Sequence, residues 1–76
     1  MGPSARIGTP RVPAPATLQG LEANARLARE TGMVVHLMVP RAPGVVEHAR
    51  AAAARQGVGG RVDLRPQSIR VRFDPN

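Results

Sequence analysis

The chain has no cysteine, lysine, tyrosine or tryptophan, and Phe73 is its single aromatic residue. Without cysteine there is no disulfide, no thiolate nucleophile and no cysteine-held metal. Acid–base candidates shrink to His36, His48 and five carboxylates, and no two carboxylates lie close together in the sequence. None of these side chains has the spacing of metal ligands. The chain therefore reads as a non-enzyme that needs no cofactor and no metal. Proteins that grip single-stranded nucleic acid do so largely by stacking bases on aromatic rings. One phenylalanine, turned inward by strand alternation, excludes such a platform. Also absent is any apolar run near the ~20 residues of a membrane span, or an apolar leader core. A cytoplasmic location is the expectation.

Acidic residues are scarce too. Five Asp and Glu stand against 11 basic residues, all arginine, for a net charge of +6 over 76 residues. A chain so charged is drawn to polyanions, nucleic acid above all. The preference for Arg over Lys, with abundant Ala, Gly, Pro and Val, is also what a GC-rich genome produces. That bias accounts for the kind of basic residue better than for its excess over acids.

The length allows one domain, of a size that buries only ~60% of its unfolded surface. Residues 1–16 hold Pro3, Pro10, Pro13 and Pro15 with two arginines, and proline removes both helical φ freedom and a donor. They read as a flexible, Pro-rich basic arm, with Arg6–Thr9 a candidate short N-terminal edge strand. Residues 17–76 read as a compact domain. A first helix is expected over 18–31, capped by Thr17 and stopped by Gly32. Its stripe is Leu18, Leu21, Ala25 and Ala28, and its outer face carries i,i+4 pairs Glu22–Arg26 and Arg26–Glu30. Residues 33–39, MVVHLMV, are apolar on both faces except at His36 and predict an interior strand ended by Pro40. A second helix is expected from about Pro43 or Gly44 to Gln56, with Val45, Val46, Ala49, Ala52 and Ala53 inward and Gly57 ending it.

The last strands carry the clearest pattern. In 61–65, Val62 and Leu64 alternate with Arg61, Asp63 and Arg65; in 68–73, Ile69, Val71 and Phe73 alternate with Ser68, Arg70 and Arg72. Matching the apolar faces requires Leu64 opposite Ile69 and Val62 opposite Val71, joined through the turn Arg65-Pro66-Gln67-Ser68. Asp63 then faces Arg70, a favourable pair, and Arg61 faces Arg72, an unfavourable one that an anion would relieve. The fold class is α/β (α+β): a small two-layer sandwich, order α-β-α-β-β, with two helices on one face of a three-stranded mixed sheet. Leu21, Val35, Leu37, Val62, Leu64, Ile69, Val71 and Phe73 are the expected core. Val34, His36 and Met38 are expected on the open face with the hairpin arginines.

The order α-β-α-β-β is similar to that of the C-terminal domain of bacterial translation initiation factor 3 and of the Alba proteins. The resemblance spans residues 17–74 as an order of elements, and no motif residue carries across.

Two functions follow. One is a nucleic-acid-binding accessory protein that contacts RNA or DNA backbone phosphates through Arg61, Arg65, Arg70 and Arg72. Arg41 would join them, because it precedes a helix N-terminus in the loop PRAPGVV (40–46), where free amides favour anions. The alternative is a non-enzymatic interaction subunit, a phage or plasmid accessory or an assembly component. Its partner would be an acidic protein, or a second copy meeting it along an edge strand. Val34 and Met38 discriminate: exposed beside arginines, they favour the protein interface, where Met and Arg are enriched.

Overall fold

The computed structural model describes residues 15–75. The candidate strand at Arg6–Thr9 and most of the expected arm lie outside the described residues. Ala16, the last residue assigned to the arm, packs on the core.

Helix α1 spans Leu18–Thr31. The Thr17 hydroxyl accepts the Gly20 amide at 3.0 Å, satisfying one of the donors that the first turn leaves free. Gly32 closes the helix at φ 71°, its amide returning to the Ala28 carbonyl. Strand β1 spans Val35–Pro40 and helix α2 spans Val45–Gln56. Strand β2 spans Gly59–Leu64 and β3 spans Ser68–Asp74. Two helices cover one face of a three-stranded sheet, as the alternation implied: α1 lies over β3 and β1, α2 over β2, and the helices pack on each other. No helix among the described residues is long and apolar enough to cross a membrane.

The strand order is β1-β3-β2, with both pairings antiparallel. The expected mixed sheet is thereby corrected. Strands β1 and β2 run the same way, joined by the α2 crossover, but β3 inserts between them, so no parallel ladder forms. The expected interior place for β1 is corrected for the same reason: among the described residues β1 is an edge strand. A strand flanked by apolar residues on both faces need not be flanked by strands on both sides.

The hairpin register is the one that alternation demands: Leu64 opposite Ile69, Val62 opposite Val71, Asp63 opposite Arg70 and Arg61 opposite Arg72. The Arg65 amide donates to the Ser68 carbonyl at 2.9 Å, closing the turn. Leu21, Ile69, Val71 and Phe73 are buried, with Val39, Val45 and five alanines. Val35, Leu37 and Val62 are partly buried against them. Leu64 is not in the core; it is 59% exposed. Its side chain projects past the covered region and lines an open hollow of about 340 Å³ with Arg41, Val45, Val46 and Ile69.

The expected ion pairs within α1 are replaced by others. Glu22 reaches across to α2, 3.5 Å from Arg55 and 3.4 Å from the Gln56 amide nitrogen, and Arg29 lies 3.6 Å from Glu30.

Candidate interaction face

The face of the sheet away from the helices is uncovered by any described element. The two registers stack its side chains in rows: His36, Arg72 and Arg61; then Met38, Arg70 and Asp63; then Pro40 and Ser68, with Arg65 just past the end of β2. Strand alternation alone brings Arg61, Arg70 and Arg72 together, with Arg65 at their margin.

Their environments differ. Arg72 is engaged: its Nε donates to Asp74 Oδ1 at 2.8 Å, two residues along the same strand face. Asp74 therefore supplies the negative charge that relieves the opposition of Arg72 to Arg61. Alternation in β3 puts residue 74 on the same face as residues 70 and 72, so that signal lay in the sequence, one residue past Phe73. Arg70 lies directly opposite Asp63. Arg61, Arg65 and Arg70 are exposed, and no side-chain hydrogen bond or ion pair of theirs is found among the described residues. Counting formal charges, the four arginines less Asp63 and Asp74 leave the face with a charge of +2.

Arg41 is placed apart from the β2–β3 rows. Its Nη1 donates to the Arg65 carbonyl at 2.8 Å, so it braces the hairpin turn. The helix start that it precedes has Gly44 as N-cap at φ 82° with no side-chain cap, and Glu47 stands in the first turn. That carboxylate already answers the positive end of the helix dipole.

The apolar members of the face are exposed. Met38 is 58% accessible and Val34 is also exposed. Met38, Arg65, Pro66, Gln67 and Ser68 line a shallow hollow of about 380 Å³, and the Ser68 hydroxyl sits 3.4 Å from Met38 Sδ. This hollow, where a thioether lies beside an exposed guanidinium, was not foreseen from sequence, because it forms only once β1 pairs with β3. Phe73 is fully buried, so no aromatic ring reaches this face. His36 lies on it, whereas His48 belongs to α2, its imidazole against Gly44.

Comparison with family models, curated proteins and solved structures finds no match for the chain.

Proposed function

We propose that the protein is a non-enzymatic interaction module, acting in the cytoplasm, whose open sheet face docks an acidic, partly apolar surface of another protein. The observation that carries this reading is the hollow in which exposed Met38 adjoins Arg65 at the margin of the arginine rows. An apolar side chain of the partner fills the hollow, and carboxylates beside it meet Arg65, Arg70 and Arg61. Methionine and arginine together are characteristic of protein interfaces, and a flexible thioether adapts to the shape it meets. Asp63, opposite Arg70, and Asp74, on Arg72, can accept hydrogen bonds from the amide and hydroxyl donors that a protein surface offers and backbone phosphates lack.

The phosphate backbone of RNA or DNA is the second reading. It is favoured by the three arginines that have no ion-pair partner among the described residues and by the chain's net +6. The two readings separate in a nuclear magnetic resonance titration of the full chain. The probes are a short acidic peptide containing leucines, polyglutamate, duplex DNA and duplex RNA. The proposal expects amide shifts at residues 36–40, 61–65 and 68–72 with the leucine-containing peptide, at lower concentration than with polyglutamate or either duplex. Tighter binding of a duplex, steeply weakened by salt, would transfer the face to nucleic acid. Shifts confined to the helices would remove this face from the account.

A further inference from the structure

The sheet has two edges, and they are built differently. The β2 edge carries Gly59, Gly60, Arg61 and Asp63. Charges along an edge are the ordinary protection against further pairing. The β1 edge, Val35-His36-Leu37-Met38-Val39-Pro40, has no Asp, Glu, Arg or Lys and no proline before its last residue. It pairs only with β3, so its outer row of backbone donors and acceptors faces no described strand. Above it the helix layer is incompletely closed. Glu22 marks the flank of α1 that meets α2, and Leu27 lies on the opposite flank at helical spacing, on the β1 side. Leu27 is 47% exposed, and Val35 and Leu37 beneath α1 are only partly buried.

We infer that β1 is a homodimer edge: two copies pair antiparallel through β1 about Leu37, joining their sheets into one of six strands. The occupant is a second copy because the edge is complementary to itself. With Leu37 opposite Leu37 of the other copy, Val35 meets Val39 and His36 meets Met38, so helix-side residues face helix-side residues and open-face residues face their like. A one-residue slip would break that match. The arrangement is isologous and closes at two copies. Charge permits it as well. At ~4.8 Å per strand, the two β3 arginine rows stand about 14 Å apart. This exceeds the ~8 Å screening length at physiological ionic strength, so the repulsion between those two rows is largely screened there. The open faces then become continuous, with Met38 and His36 of both copies in the centre and the arginines outside. The inference rests on the edge and not on what the open face binds.

Sedimentation of the full chain at sub-millimolar concentration tests it. The expected result is a reversible dimer, strengthened when salt is raised from very low levels. Met38→Lys, which places a charge on an exposed strand position, should leave the circular dichroism unchanged and weaken the dimer at least tenfold. Because the protein has no cysteine, register is read directly. A mixture of His36→Cys and Met38→Cys copies should oxidise to a disulfide-linked dimer about tenfold faster than either variant alone. In the proposed register residue 36 lies opposite residue 38 at cross-strand distance, whereas identical positions lie on the longer diagonal. A chain that stays monomeric at every concentration and salt overturns the inference. So does a dimer untouched by Met38→Lys, or equal cross-linking in all three samples. If the monomer's β1 amides resist hydrogen exchange, the edge is covered within the chain and no second copy pairs there.

Discussion

Phe73 and Leu64 belong to the helix-facing set of the hairpin, yet only Phe73 is buried. Phe73 sits mid-sheet between Val35 and Gly60, on the strand that α1 covers. Leu64 sits at the end of the edge strand β2, beside the loop that opens α2. Alternation assigns a face but not how far the covering helix extends over it, so Leu64 was legible as inward-facing and illegible as uncovered. Phe73→Ala should cost ~3–5 kcal/mol, comparable to the whole stability of a domain this size. Leu64→Ala should cost under about 1 kcal/mol. Chemical denaturation of the two variants checks this, and a large loss at Leu64 would mean that the hollow beside it is closed in solution. At the start of α1, Thr17→Ala should lose ~1 kcal/mol through the missing cap to the Gly20 amide, seen as a lower melting temperature.

At the scale of elements, Gly60 explains how α2 reaches the sheet. A Cβ built there would stand 2.9 Å from Ala53 Cβ, closer than carbon atoms approach. Gly60→Ala should therefore cost ~1–3 kcal/mol by overpacking. Ala53→Gly combined with it should recover part of that loss, giving a coupling that a double-mutant cycle measures. Additive effects would show that α2 does not rest on β2 at this point. The bounds and caps of α1, the end of α2 and the hairpin register were readable in the sequence, because each is set by neighbours a few residues away: Thr17 and Gly32, Gly57, and an even-numbered turn between alternating strands; α2 begins at Val45, just past the expected Pro43 or Gly44. The place of β1 at the edge was not readable. It depends on β3, far downstream in the sequence, pairing with both other strands. The reach of Glu22 to Arg55 and Gln56 depends likewise on how the helices meet, so the local pairing with Arg26 gave way to it.

For the whole molecule, the question is what the sheet face that no described element covers meets. Its arginines were legible from parity alone, as was the opposition of Arg61 to Arg72. The hollow joining Met38 to the Arg65 turn was not, because it needs β1 packed beside β3. Nor was the tie of Arg41 to the Arg65 carbonyl, a contact across 24 positions of sequence. A protein partner uses both the thioether and the guanidinium groups, whereas a phosphate backbone uses only the latter. The most direct measurement is therefore the affinity of Met38→Ala and Arg70→Ala for the leucine-containing acidic peptide and for duplex DNA and RNA, each at low and moderate salt. Met38→Ala should weaken peptide binding about tenfold, ~1.4 kcal/mol, with little dependence on salt. Arg70→Ala should weaken it mainly at low salt. Both exposed substitutions should leave the fold intact. If Met38→Ala changes nothing, while Arg70→Ala weakens duplex binding and lowers its salt slope by ~1, the face is a phosphate-backbone surface and the protein-docking account is wrong.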